Sequence, residues 1–194
     1  MRAFLILSLL LATQLAARPA EILGPQIAKS AFKQIGITTG YDPSYRSLAY
    51  PGGDVPKETG VCTDVVVRSL RAIGIDLQKA VHEDMAKNFA RYPQQWGLKR
   101  PDKNIDHRRV PNLMTYFKRH HQSLSKFKDS KTFRPGDIVA WKLTGGRLHI
   151  GIVSERRSSG VPWIIHNIGS GTNEENLLHQ FDIIGHYRVR GKTR

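Results

Sequence analysis

An α+β domain with a mostly antiparallel sheet is the fold this sequence predicts. Apolar residues recur at helical spacing through the first two thirds of the chain, and short runs rich in branched and aromatic residues fill the last third. No internal repeat or low-complexity linker divides the 194 residues, a length suited to one domain with a full-sized core. Helices first and then a run of strands distinguish this class from a parallel sheet with alternating helices.

The elements follow in order. Arg2 precedes the apolar run from Ala3 to Ala12, small residues follow at Ala16 and Ala17, and Arg18-Pro19 ends the pattern. This is the layout of a secretory signal peptide, and the run is too short for an ordinary membrane span. Residues 1–17 are therefore expected to be removed, leaving 18–194 as one domain with no stable membrane anchor; an uncleaved N-terminal anchor is the alternative. No cysteine lies near the cut, which excludes a lipoprotein anchor.

Ile22 to Ile35 reads as a short helix ended near Gly36, and residues 40–60 are rich in turn formers. Cys62, Val65, Val66, Ser69, Leu70 and Ile73 then form a mostly apolar stripe at helical spacing, stopped by Gly74. Leu77, Ala80, Val81, Met85 and Phe89 mark a second helix that must finish before Pro93. Pro111 suits the first turn of a third, with Val110, Leu113, Met114 and Phe117 on one face. Pro135-Gly136 predicts a type II turn. Ile138–Leu143, Leu148–Ser154, Trp163–Ile168 and Ile183–Val189 read as strands.

The bulk chemistry narrows the setting. Thirty basic residues against 16 acidic give a formal net charge of +14, and +13 once Arg2 leaves with the signal (29 − 16). Such an excess favours polyanionic surroundings: nucleic acid, anionic lipid or a carboxylate-rich wall polymer. Export and the scatter of the basic residues argue against nucleic acid. Exported proteins usually pair their cysteines, yet this chain has one. A lone thiol in an oxidising compartment is a liability unless buried or used, so an inert buried Cys, an intermolecular disulfide and a catalytic thiol all stay open.

Cys62 sits in the first turn of its helix, where unsatisfied N–H groups and the helix dipole favour thiolate over thiol and could stabilise an oxyanion. Its place on the apolar stripe equally suits a small core residue. The strands at 148–154 and 163–168 are joined by a turn-rich link. A hairpin centred between Arg157 and Ser158 would pair Val153 with Pro162, Gly151 with Ile164, and His149 with His166. Directly opposed residues share a face, with Cβ atoms about 5 Å apart. His149 would then act as base and acid, and His166 would hold its other ring nitrogen.

Several segments carry a family likeness. Tyr50-Pro51-Gly52-Gly53 followed by Gly60-Val61-Cys62-Thr63, then Pro135-Gly136-Asp137-Ile138-Val139, His149-Ile150-Gly151-Ile152-Val153 and Ile164-Ile165-His166-Asn167, resemble the motifs of the NlpC-type cell-wall cysteine peptidases and the related cysteine, histidine-dependent amidohydrolases. Nearly the whole mature chain is similar to a narrower bacterial family, domain of unknown function 1287. That likeness lies in Asp54-Val55-Pro56, Val81-His82-Glu83-Asp84-Met85 and Asn104-Ile105-Asp106-His107-Arg108-Arg109. The resemblance implies a papain-like fold, with the helix of Cys62 packed on the sheet, and a Cys-His-polar triad. More loosely, it implies peptidoglycan stem peptides as substrate. The chain departs from the common Asp-Cys-Ser-Gly motif, having Val61-Cys62-Thr63-Asp64, and carries a family-specific helical insertion at about 77–134.

Other polar residues are weaker candidates for binding substrate. Tyr50 could line the site or be structural. Asp64 could position a substrate amine or simply complement the helix dipole. Asp106, His107, Arg108 and Arg109 could grip a substrate carboxylate or form a capped helix start with a solvated basic face. No HExxH or paired-Cys pattern suggests a metal, and no cofactor is expected. The expectation is an exported, monomeric thiol hydrolase acting on peptidoglycan or another anionic envelope polymer. An acyl transferase and a non-catalytic wall-binding module are the rivals.

Overall fold

The computed structural model describes residues 23–125 and 129–191; the expected signal segment lies outside them. Helices α1 (Gly24–Phe32), α2 (Cys62–Arg71), α3 (Leu77–Asn88) and α4 (Val110–His120) precede the main strands. Two short strands, β1 (Gly40–Tyr41) and β2 (Thr59–Gly60), pair in parallel just ahead of α2. Strands β3 (Gln122–Ser123), β4 (Ile138–Lys142), β5 (Leu148–Ser158), β6 (Val161–Asn167), β7 (Thr172–Glu175) and β8 (Asp182–Arg188) form one sheet in the order β3-β8-β4-β5-β6-β7. All its pairings are antiparallel. This is the α+β class expected, with the cysteine-bearing helix against the sheet.

Local chemistry sets the boundaries. Asp64 accepts the Val61 N–H at 2.7 Å and so satisfies an orphan donor at the start of α2. Asp76 caps α3 through the Gln78 N–H, and Pro111 occupies the first turn of α4. At Pro135-Gly136 the Asp137 N–H closes a turn onto the Arg134 carbonyl at 3.0 Å. Gly136 has φ +81°, and a Cβ there would lie 2.0 Å from the Gly24 carbonyl oxygen, so only glycine fits between β4 and α1.

The sheet separates two apolar clusters. On one face Val66, Leu70, Leu77, Leu113 and Phe117 of the helices share a core with Ile138, Ala140, Ile150, Ile152 and Ile165. On the other, Phe133, Val139, Trp141, Val153, Ile164, Leu177 and Leu178 pack together. The residue alternation along β5 therefore sends Ile150 and Ile152 towards the helices, and His149, Gly151 and Val153 the opposite way.

The hairpin expectation needs correction. Its turn is Ser159-Gly160, with φ of +48° and +80°, one residue pair later than predicted. Left-handed backbone at both positions matches the twist of the flanking strands, which a turn at Arg157-Ser158 would not. Ser158 pairs with Val161 and Arg157 with Pro162, and an irregularity between Val153 and Arg157 shifts the register so that Val153 pairs with Ile164. The predicted pairing of His149 with His166 does not occur. Continued along the strands, this register sets Gly151, not His149, across from His166. The displacement is two residues, so both histidines stay on one face.

Candidate active site

Cys62 begins α2 and is buried, with 6% of its surface exposed. The loop before it is pinned on several sides. Arg68, one and a half turns along α2, donates to Asp54, to Thr38 and to the carbonyls of Val55, Pro56 and Thr59. The Gln34 amide fixes α2 against α1 through Val65 O at 3.0 Å and Ser69 Oγ at 2.9 Å. Asn167, at the end of β6, reaches away from its strand and donates to the carbonyls of Gly40 and Gly60, each at 3.0 Å.

The sheet opens where the sulfur lies. Val153 exchanges its backbone bonds with the β4 side, through Gly136 and Asp137, so Ile150 turns its N–H to the β6 side by alternation. Beyond Ile165 no pairing of β6 with β5 is formed among the described residues. The Ile150 amide instead faces Cys62 Sγ. The thiol thus approaches β5 from the helix side, one residue past His149. Among the described residues no hydrogen bond joins Sγ to either imidazole.

Burial dominates the thiol. Desolvation pushes it up to about 12, with the Asp64 charge acting the same way, against the amides of Ile150, Thr63 and Cys62 itself. The expected preference of the helix terminus for thiolate is present but outweighed, because a charge removed from water loses more than a few N–H dipoles return. Tyr41, on β1, is close enough that a charge on Cys62 would raise its phenol further, after the effect of its own burial.

The histidines meet on the other face. His149 Nε2 lies 3.0 Å from His166 Nδ1, with the rings edge to face at 5.0 Å between centroids. They are diagonal, not opposed, and the residue between them is Gly151. A Cβ at 151 would come within 3.1 Å of His166 Cβ and 2.8 Å of Ile164 Cγ2, so the missing side chain makes room for the imidazole contact. Trp141 backs His149 at 5.9 Å. His166 Nε2 in turn lies 3.2 Å from Glu175 Oε2 on β7. Burial pushes His149 down to about 3, with repulsion from His166 adding to it, and burial also lowers His166. Burial thus favours the neutral form of the thiol and of both imidazoles, with Glu175 opposing it at His166.

The weaker candidates lie elsewhere or are engaged. Asp64 is buried and held by Arg108 through Nε and Nη2, both at 3.0 Å. Arg108 also donates to the carbonyls of Asp42 and Ser44, so the pair ties the 42–44 loop and the Asp106–Arg108 turn to α2. Asp106 and His107 are buried, and burial with nearby Arg108 and Arg71 pushes His107 down to about 4. Asp106 accepts the Asp102 N–H and pairs with Arg109, which stacks on Trp96 at 4.1 Å. Tyr50 packs on His82 of α3 and beneath Lys103. These residues hold the insertion to α2 and to the loop before it, and among the described residues none of them bonds to the histidines. Asp137 of the Pro-Gly-Asp segment binds His186 at 2.9 Å and Arg188 at 2.7 Å, locking β4 to β8. Among the described residues no group of three or more His, Cys, Asp or Glu side chains is arranged to hold a metal ion.

Sequence reasoning missed Tyr41, Asn167 and Glu175 as neighbours of the site. Asn167 sat in a motif already singled out, beside His166. Glu175 lies on a four-residue strand with no apolar alternation, so periodicity had nothing to detect.

The family model described as Domain of unknown function (DUF1287) matches residues 28–189. YijF of Escherichia coli K12, described as an uncharacterized protein, is 58% identical over 163 residues, which is 84% of this chain and 80% of that protein. The solved structure of NlpC1 from Trichomonas vaginalis aligns with 90% of this chain at 13% identity and a TM-score of 0.49. The aligned part is 47% of that structure, so this chain spans about half its length. With the family model covering most of its length, the chain belongs to the family Domain of unknown function (DUF1287).

Proposed function

We propose that this protein is an exported, papain-like cysteine peptidase or amidase that cleaves an amide bond in peptidoglycan stem peptides. One observation carries the reading: a hydrogen-bonded imidazole pair on β5 and β6 sits beside the strand amide that faces the only sulfur nucleophile. This mechanism requires the opening between β5 and β6 beside Ile150 to bring Sγ and the His149 ring together: Cys62 Sγ bonds to the amide carbon as its proton passes to His149, and the carbonyl pair moves onto oxygen. Amides at the start of α2 stabilise that oxyanion. His149 then gives its proton to the departing amine as the C–N bond breaks, and water hydrolyses the thioester. Because both partners rest neutral, the proton moves during attack and not beforehand. The +14 charge and the signal-like leader support an anionic, extracytoplasmic setting.

Digestion of peptidoglycan by the wild type and by Cys62→Ala, read by mass spectrometry, tests the proposal. Cleaved stem peptides from the wild type alone are expected, and equal digestion by both excludes a thiol mechanism. Products joined to an added amine would instead identify an acyl transferase.

A second reading, a wall-binding module without catalysis, draws on the burial that pushes the thiol up to about 12. It predicts salt-sensitive binding to wall polymer that survives Cys62→Ala, with a thiol inert to iodoacetamide at neutral pH.

A further inference from the structure

We propose that Glu175 is a positioning residue that sets the tautomers of His166 and His149 and so leaves Nδ1 of His149 as the bare, proton-accepting nitrogen. The inference rests on the reading of His149 as base to Cys62. Its basis is a diagonal of three side chains across three adjacent strands: His149 on β5, His166 on β6 and Glu175 on β7. Glu175 pairs with Ile164 in the ladder, two residues from His166 and on the same face, which is how its carboxylate reaches the ring.

The direction of every proton in the chain follows from its end. An ionised carboxylate only accepts hydrogen bonds. The 3.2 Å contact from Glu175 Oε2 to His166 Nε2 therefore requires the proton on Nε2. Burial lowers His166 against the opposing pull of Glu175; in its neutral form the ring carries one N–H, so with Nε2 protonated its Nδ1 is a lone pair. The 3.0 Å contact to His149 can then form only if His149 donates from Nε2. His149 is also neutral, so its single proton is used there. Its Nδ1 is left without one. Without the carboxylate, His166 and His149 could hold the same contact with both protons reversed, and His149 Nδ1 would carry an N–H instead of a lone pair.

Among the described residues the Glu175 carboxylate has no hydrogen-bond or ion-pair partner other than His166. The Glu175 side chain is 48% exposed on the edge strand, so replacing it leaves the core intact. Two variants separate the possibilities. Glu175→Gln keeps an oxygen that accepts, whereas Glu175→Lys offers only donors.

Imidazole ¹⁵N spectra of the labelled full-length protein, resolving protonated from bare nitrogens, test the proposal without needing substrate. The wild type and Glu175→Gln should show bare Nδ1 and protonated Nε2 at both His149 and His166. In Glu175→Lys both rings should reverse. Stem-peptide turnover should then fall by about a hundredfold in kcat with KM unchanged, and Gln should restore most of it. A protonated Nδ1 on wild-type His149, or tautomers unmoved by lysine, overturns the proposal. Tautomers that follow the prediction in a protein that cleaves no peptidoglycan support the role of Glu175 in the pair; only the hydrolase reading then fails.

Discussion

Two buried polar assemblies border the start of α2, and they differ in what they leave unused. Behind Cys62, Asp64 and Arg108 form a two-point ion pair, and Arg108 spends two further N–H groups on the carbonyls of Asp42 and Ser44. Across the sheet, His149 and His166 share one hydrogen bond, and neutral rings keep a lone pair in reserve. A full charge taken out of water must satisfy every donor and acceptor, which makes it a good fastener and a poor reagent. A neutral imidazole tolerates burial with one nitrogen unspent, which is what proton transfer requires.

The comparison breaks most readily at the fastener. Arg108→Met removes one partner and leaves the Asp64 carboxylate buried and unpaired. A loss of about 3–5 kcal/mol is expected in urea unfolding, since stranding a buried charge costs far more than removing both partners. The paired replacement, Asp64→Leu with Arg108→Met, should recover much of it. On the histidine side, Gly151→Ala places a methyl against Ile164 and His166. It should cost about 1–3 kcal/mol by overpacking and, by parting the rings, slow alkylation of Cys62 by iodoacetamide.

Acid sharpens the contrast. Burial holds His149 at about 3 and His107 and His121 at about 4. Unfolded histidine titrates near 6.5, so below about pH 6.5 the unfolded chain binds protons that the folded one refuses. Stability is therefore complete above that pH and falls as pH drops from about 6.5 towards 4, by at most about 1.4 kcal/mol per pH unit for each such histidine. Melting temperatures across this range check the sign, and His107→Gln should lessen the slope. The smallest effect is expected at Glu175→Gln, where a half-exposed contact changes stability by less than about 1 kcal/mol.

These contrasts also explain what could be read from the residues alone. Helical spacing located α2 because its stripe of Cys62, Val65, Val66 and Leu70 faces one continuous core. The branched runs located β4, β5, β6 and β8 for the same reason. The histidines were legible as a pair because side chains in a strand alternate faces, a parity that survives a two-residue error in register. The turn itself was misplaced because Ser159 adopts a left-handed backbone that the sequence does not advertise. Asp64, Asp106 and His107 were read as possible substrate contacts because polarity near a nucleophile suggests function. Their burial depends on how residues 77–134 fold back onto α2, which no local pattern encodes. Glu175 escaped notice because its strand is paired only through the backbone of β6 and lacks any apolar signature.

The central claim is covalent chemistry at one sulfur assisted by one imidazole. Acid quenching of the wild type mixed with peptidoglycan stem peptides, followed by peptide mapping, tests it most directly. The account predicts an acyl group on Cys62 that forms before product accumulates and is absent from His149→Gln at the same times. Stem-peptide cleavage without a sulfur adduct, or cleavage undiminished in His149→Gln, would contradict it.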